Sequence, residues 1–170
     1  MKLPEIIRLT PEYEKDFYNF AAEYLPDSDP DRMKKFLEMY PKAFLLLLSD
    51  GEVTGAAFGR DRSIQFPEDD SFELCGIAVR YNLQRRGFGS CLLSEFEKAA
   101  AIYGAKAISL GSAEGYAEKF YIKNGYTPTE YKVWENGVPC VKKVFADMED
   151  YLSYKREGAD GFVVMRKAIK

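Results

Sequence analysis

The stretch from Cys75 to Ser90 has the sequence CGIAVRYNLQRRGFGS. An apolar run ends at Val79, a short polar loop follows, and two glycines then flank one aromatic residue where a patterned helix begins. The first N–H groups of a helix have no partners within it, and the helix dipole makes that end partly positive. Glycine lets the backbone approach an anion closely. The stretch therefore predicts a strand, loop and helix start that hold a phosphate-bearing ligand.

The composition is typical of a globular protein. The chain has 170 residues, of which 46% are hydrophobic and 15% aromatic, and this suits a single domain over residues 1–170 with a buried core. With a net charge of −3, the chain has no excess of basic residues that would indicate nucleic-acid binding. The longest apolar run, Ala43 to Leu48, is far too short to cross a membrane, and the first residues lack a signal-peptide core. We therefore expect a cytoplasmic protein that binds neither nucleic acid nor membrane.

Histidine is absent from the chain, and this restricts the chemistry that the protein can perform. Acid–base work must fall to Glu, Asp, Tyr, Cys, Lys or water. The three cysteines, Cys75, Cys91 and Cys140, have no metal-binding spacing, and we predict no metal site. Cys75 and Cys91 fall in elements that we expect to be buried, where a thiol packs as a small hydrophobic group.

Hydrophobic periodicity predicts one α+β domain in which strands and helices are interspersed. Asp50-Gly51 predicts a tight hairpin turn, and Tyr116 and Phe120 are expected to face inward from the helix over 112–123. Strands are predicted over 5–9, 43–48, 53–59, 72–79, 106–110, 126–134 and 161–166. Helices are predicted from 10 to about 24, over 31–39, from the glycine loop to about 103, over 112–123 and, more weakly, over 144–156.

Three motifs in order resemble the GNAT superfamily of acyl-CoA-dependent N-acetyltransferases. Gln84-Arg85-Arg86-Gly87-Phe88-Gly89 fits the motif Q/R-x-x-G-x-G/A, which in that family lies between a strand and a helix. Residues 117–126, AEKFYIKNGY, fit A-x-x-F-Y-x-x-x-G-F/Y, and Met165-Arg166-Lys167 fits a final M-x-K. The resemblance implies a three-layer α/β/α fold. Its mixed, mostly antiparallel central sheet has about seven strands, with a splay between the fourth and fifth.

The resemblance also implies acetyl-CoA as the cosubstrate. The backbone N–H groups from Arg85 to Ser90 would bind the pyrophosphate, and the side chains of Arg85 and Arg86 either add charge there or are solvated surface charge. The main chain of Ile77–Val79 would pair with the pantetheine. Many relatives carry an Asn where Glu114 stands, and here either Ser112 supplies a hydroxyl in place of that amide or the contact is absent. The implied cofactor-binding residues are Ile77, Ala78, Val79, Gln84, Arg85, Arg86, Gly87, Phe88, Gly89, Ser90 and Ser112.

Two residues match catalytic positions of the family. Freeing the lone pair of an alkylammonium at pH 7 costs about 4 kcal/mol, so a base or a water relay helps. Glu73 lies eleven residues before Gln84, where the histone-acetyltransferase branch places its general base, and the alternative is an outward-facing charge. Tyr121 matches the tyrosine that often protonates the departing thiolate, and the alternative is an aromatic core residue.

The acceptor is expected to be a primary amine of a small molecule or a peptide, whose identity the sequence does not specify. A module that binds acyl-CoA without turnover, as a sensor or an interaction domain, is the alternative; it would share the glycine loop but would not need Glu73 or Tyr121. The segment 136–160 is longer than the family's usual hairpin, so a lid, a substrate wall and a homodimer contact all stay open. Trp134 at its edge is expected to be buried or to lie in an interface.

Overall fold

A computed structural model describes residues 2–113, 115–156 and 160–170. Their contacts divide the chain into two compact units, Met1–Ile108 with Ile169–Lys170, and Ser109–Ala168. One domain over residues 1–170 therefore stays a prediction, and each unit is described by itself. Within the described ranges, no helix is both long enough and apolar enough to cross a bilayer.

The first unit contains an antiparallel run of strands in the order β1-β2-β3-β4. Asp50 and Gly51, with φ of 51° and 84°, form the predicted hairpin turn between β2 and β3. Single 3-10 turns precede the first helix and the second strand. The elements are β1 (Glu5–Arg8), α1 (Glu14–Tyr24), α2 (Pro30–Met39), β2 (Phe44–Ser49), β3 (Glu52–Asp61), β4 (Ser71–Val79) and α3 (Phe88–Ile102).

Helices cover both faces of this run of strands, which explains why β2 is apolar at almost every position. On one face, Phe17 of α1 packs edge-on against Phe44 of β2, with ring centroids 5.6 Å apart. On the other face, Phe72 of β4 packs against Phe96 of α3, with centroids 5.9 Å apart. The strands that lead to the glycine loop are thereby packed on both faces.

The second unit contains the strand order β5-β8-β6-β7, in which β6 pairs antiparallel with both β8 and β7. Its elements are β5 (Ala107–Ser112, whose first two residues belong to the first unit), α4 (Gly115–Lys123), β6 (Thr127–Glu135), β7 (Val138–Val144), α5 (Met148–Ser153) and β8 (Gly161–Ala168). The described residues thus form eight strands, one more than the approximate number predicted, and the mixed, mostly antiparallel α+β class is confirmed.

The extra strand is β7, which lies inside the segment 136–160. Asn136 and Gly137, with φ of 52° and 75°, close a tight hairpin between β6 and β7. An Asn-Gly pair favours such a turn, but the strand after it could not be recognised from the sequence, because its exposed residues lack a clear alternation. The helix predicted over 144–156 is correct only for Met148–Ser153.

One expectation about side-chain burial in the second unit is wrong, and another is answered in part. Trp134 is 55% exposed, although its ring contacts Phe162 at 5.6 Å between centroids, so it is not buried and its place in an interface stays a prediction. In α4, Tyr116 is 63% exposed instead of facing inward, Phe120 is half-buried, and the buried residues are Glu118 and Tyr121. The aromatic spacing was misleading because the buried face contains a charged residue, which burial tolerates only when it is paired.

Candidate active site

The loop after β4 adopts the shape that its glycines predict. A 3-10 turn over Tyr81–Leu83 follows the strand, and Arg85 and Gly87 then take left-handed φ values of 61° and 85°. The Gln84 side-chain amide donates a hydrogen bond to the carbonyl of Val79 at 2.9 Å, which fixes the loop to the end of β4. At Gly87 the left-handed backbone strongly favours glycine.

The N-terminus of α3 presents its backbone donors without a competing side chain. Of the described residues, none caps this helix end, and its first turn contains no acidic residue. The first helical hydrogen bond runs from the N–H of Cys91 to the carbonyl oxygen of Gly87, at 3.1 Å. The N–H groups of Phe88, Gly89 and Ser90 precede that bond and have no acceptor within the helix.

This donor set fits an anionic diphosphate. Three backbone N–H groups and the positive end of the helix dipole converge at one helix end, and the side chains of Arg85 and Arg86 beside it are exposed. No heavy atom lies within 4 Å of the position that a Cβ at Gly87 would occupy, so the approach to these donors is open. Hydrogen bonds to a charged group contribute about 1.5–3 kcal/mol each.

The main chain of Ile77–Val79 leads into the loop as the last part of β4. One edge pairs with β3, where Ile77 lies opposite Ala57 and Val79 opposite Gly55. Val79 is buried, whereas Ile77 and Ala78 are half-buried. The pairing of β3 with β4 shifts its register between Phe58 and Gly59. Beyond this shift, Arg60 of β3 lies opposite Glu73 of β4.

Glu73 lies in β4 as predicted, and its surroundings are charged. Its Oε2 is 2.7 Å from Nε of Arg60 and 3.5 Å from Nη1 of Arg62. Asp69 binds Arg62 as well, at 2.8 Å. The side chain of Glu73 is 26% exposed, so solvent reaches this charge cluster. The role of Glu73 as a base stays a prediction, and the two arginines are the partners that the sequence analysis missed.

Tyr121 lies in α4, in the second unit, and is 9% exposed. Its ring contacts Phe120 and Tyr126, with centroids 5.2 and 5.8 Å away. Burial raises the pKa of Tyr121 to about 12, so the hydroxyl remains a hydrogen-bond donor at physiological pH. Ser112 is buried at the end of β5 rather than in the predicted helix, and Glu114 lies outside the described residues.

The two cysteines near the loop differ in accessibility. Burial and the Glu73 carboxylate raise the pKa of the Cys75 thiol, which therefore behaves as the inert apolar group that we expected. Cys91 is exposed in the first turn of α3, and its predicted burial is wrong. It lies one position before the buried stripe that begins at Leu92, on the outward face of the helix.

Comparisons with known proteins agree with this geometry. The family model described as "Acetyltransferase (GNAT) domain" matches residues 9–144. No curated protein matches the chain. The fold is similar to Ard1 from Thermoplasma volcanium (15% identity, 98% of each chain covered, TM-score 0.68). It is also similar to the ribosomal-protein-S18-alanine N-acetyltransferase of Escherichia coli (16% identity, 98% of this chain and 94% of that one, TM-score 0.64).

Naa50 from Arabidopsis thaliana, solved in complex with the bisubstrate analogue CoA-Ac-MVNAL, has the same fold (14% identity, 98% of this chain and 99% of that one, TM-score 0.70). Identities this low show a shared fold alone. The family model, in contrast, spans well over half of the chain and contains the loop, the helix α3 and Tyr121. The chain therefore belongs to the GNAT family of acetyltransferases.

Proposed function

We propose that this acetyltransferase takes an acetyl group from acetyl-CoA and transfers it directly to a primary amine of a small molecule or a peptide. The observation that carries the proposal is the N-terminus of α3, where no described side chain caps the backbone donors and Gly87 has a left-handed backbone. A helix end of this kind binds the phosphates of a nucleotide-bearing carrier. Bound there, acetyl-CoA supplies the acetyl group as an activated thioester.

Residues of β4 and of the loop after it, together with Ser112, orient this carrier in the proposal. The N–H groups of Phe88, Gly89 and Ser90 hold the diphosphate, with Arg85 and Arg86 adding positive charge. The main chain of Ile77–Val79 pairs with the pantetheine, and an N–H near Ile77 donates to the thioester carbonyl, where negative charge develops. Ser112 contributes a hydroxyl to the pantetheine.

The transfer forms a bond between the amine nitrogen and the acetyl carbon and breaks the bond from that carbon to sulfur. Glu73, directly or through a water relay, accepts the proton that the amine nitrogen loses. Tyr121 donates a hydrogen bond to the departing thiolate. Full proton transfer from a phenol of pKa about 12 to a thiolate whose acid has a pKa of about 8.5 is uphill by roughly 5 kcal/mol. Stabilising the thiolate, rather than complete protonation, is therefore the contribution of Tyr121.

A thiol-release assay across a panel of amines tests the activity. We expect at least one amine to accelerate thiol release from acetyl-CoA, and Tyr121→Phe to lower kcat by about 10²-fold, as loss of a hydrogen-bond donor to developing negative charge typically does. Tyr116→Phe is the matched control, because it removes an exposed hydroxyl from the same helix. If no amine accelerates release while coenzyme A still raises the melting temperature, the chain is a sensor and the proposed reaction is wrong.

The role of Glu73 is tested by comparing a variant of Glu73 with a variant of Asp69, which binds the same arginine. Glu73→Gln and Asp69→Asn each remove a carboxylate that binds Arg62. If Glu73 is the base, only Glu73→Gln lowers kcat. The loss of kcat is then largest at low pH, where the free amine is scarce. Equal losses in both variants would assign the effect to disruption of the arginine cluster.

A further inference from the structure

Glu118 is a buried carboxylate in α4 that the proposed reaction does not use. It is 2% exposed. Its Oε2 accepts two hydrogen bonds, one from the Tyr151 hydroxyl and one from Nη2 of Arg156, each 2.5 Å long. Its Oε1 is buried and has no partner among the described residues. Burying such a charge is costly compared with burying an apolar side chain of similar size. The position therefore requires a reason beyond stability.

The location of Glu118 in the helix supplies that reason. Residues three apart on a helix lie on the same face, so Glu118 and Tyr121 project from α4 in nearly the same direction. Both are buried, at 2% and 9% exposure. Any contact that fixes Glu118 about the axis of α4 therefore also fixes the direction in which Tyr121 leaves the helix.

The two donors to Glu118 are themselves held in place. They lie in residues 145–156, which pack on Tyr131 of β6, a residue with 2% exposure. The guanidinium of Arg156 lies 5.5 Å from the centre of the Tyr131 ring, and Tyr154 contacts the same ring at 5.7 Å. Further ring contacts in this segment join Phe145 to Tyr151 and to Tyr154, at 5.4 and 5.8 Å.

A charged contact also anchors the segment to the neighbouring strand. Asp150 of α5 pairs with Lys143 of β7 at 3.0 Å and accepts a hydrogen bond from the N–H of Ala146. Burial and the Glu118 carboxylate raise the pKa of Tyr151 to about 12, so its hydroxyl remains a donor over the physiological range. The donors thus reach Glu118 from a framework fixed to β6 and β7.

We propose that Glu118, Tyr151 and Arg156 form a latch that sets the rotation of α4 and so positions the Tyr121 hydroxyl. The inference rests on the role proposed above for Tyr121. An apolar contact would hold α4 against the segment without fixing how the helix is rotated about its axis. Two directional hydrogen bonds to one carboxylate oxygen of Glu118 fix that rotation as well. The segment 136–160 therefore supplies positioning residues for the reaction.

Removing one hydroxyl tests the latch with little disturbance of packing. Tyr151→Phe keeps the ring contacts and loses the hydrogen bond to Glu118. Arg156→Lys keeps the positive charge but loses the planar guanidinium group. Tyr154→Phe is the matched control, since it removes a hydroxyl from the same segment outside the latch. We expect both latch variants to lower kcat about tenfold at unchanged KM for acetyl-CoA, because small displacements of a reacting group cost up to about 10²-fold.

Combination with Tyr121→Phe shows whether the effect passes through Tyr121. If it does, Tyr151→Phe causes no further loss of kcat in the Tyr121→Phe background, and Tyr154→Phe has no effect in either. An equal loss of kcat in both backgrounds overturns the latch, because the effect then acts elsewhere. A lower melting temperature with unchanged kcat also overturns it, since the contact is then purely structural.

A spectroscopic measurement separates failure of the latch from failure of the proposed reaction. Tyrosine labelled with ¹³C at Cζ gives one NMR signal for each of the 12 tyrosines, and the signal lost in Tyr121→Phe identifies that residue. We expect this signal to shift in Tyr151→Phe and not in Tyr154→Phe, even if the wild type transfers no acetyl group. An unmoved Tyr121 signal in Tyr151→Phe would refute the latch whatever the activity.

Discussion

Replacing Gly87 with alanine separates the backbone geometry of the phosphate loop from its side-chain contacts. Gly87 has a φ of 85°, and no heavy atom lies within 4 Å of the position that a Cβ would occupy. The substitution therefore causes no clash, and its cost comes from the left-handed backbone. For a residue with a Cβ that cost is roughly 1–2 kcal/mol. The reduced entropy of the unfolded chain offsets about 0.4–1 kcal/mol of it.

The same helix provides a matched control at its other end. Gly104 follows α3 with a φ of 82° and equally open space. Gly104→Ala should therefore lose a net of about 1 kcal/mol of stability, or roughly 2–4 °C in Tm for a chain of this size, and Gly87→Ala should lose less, because its loop is free to relax when no ligand is bound. Thermal unfolding monitored by circular dichroism measures both.

Binding of coenzyme A should distinguish the two variants. In Gly87→Ala the loop relaxes away from the left-handed conformation, and the ligand must restore it at a cost of roughly 1–2 kcal/mol, which weakens binding about 5- to 30-fold. Gly104→Ala should bind like the wild type, because its change lies at the far end of the helix. If Gly87→Ala loses less stability than Gly104→Ala, as expected of a relaxed loop, but binds coenzyme A with wild-type affinity, the loop does not hold the diphosphate.

Three other substitutions probe the surrounding structure. Gly59→Ala would place a Cβ 2.0 Å from the carbonyl oxygen of Glu73, so we expect a loss of more than about 3 kcal/mol, seen as failure to recover folded protein. Ellman's reagent should modify Cys91 faster than Cys75 in the native protein, and Cys91→Ser should remove the fastest phase, because Cys75 and Cys140 are half-buried and the pKa of Cys75 is raised. Burial raises the pKa of Tyr121 from 10 to about 12, so the protonated phenol stabilises the fold below pH 10 and that contribution is lost as pH rises towards 12. Tyr121→Phe should therefore reduce the loss of stability between pH 10 and 12 in chemical denaturation, and an unchanged loss would contradict its burial.

The sequence was most informative where one local signal determines the backbone. The apolar run of β2, the Asp50-Gly51 turn and the glycine loop each depend on a few adjacent residues, and all are present in the structure. The end of α3 near Gly104 was predictable for the same reason, since a left-handed glycine closes it.

What the sequence did not show depends on contacts between distant residues. Nothing in the sequence indicated that Glu118 is buried, because its burial depends on pairing with Arg156, 38 residues later. Arg60 and Arg62 meet Glu73 only because β3 and β4 pair in one register. The strand β7 is an edge strand with exposed side chains, so its sequence lacks the alternation that burial of one face imposes.

The central claim is that the N-terminus of α3 holds the diphosphate of a CoA thioester, and calorimetry with two ligands tests it most directly. Coenzyme A contains the diphosphate, whereas pantetheine contains only the thiol-bearing arm. Two hydrogen bonds to a charged group contribute about 3–6 kcal/mol, so we expect coenzyme A to bind at least about 10²-fold more tightly than pantetheine. Equal affinities for the two ligands, or no binding of coenzyme A, would contradict the claim.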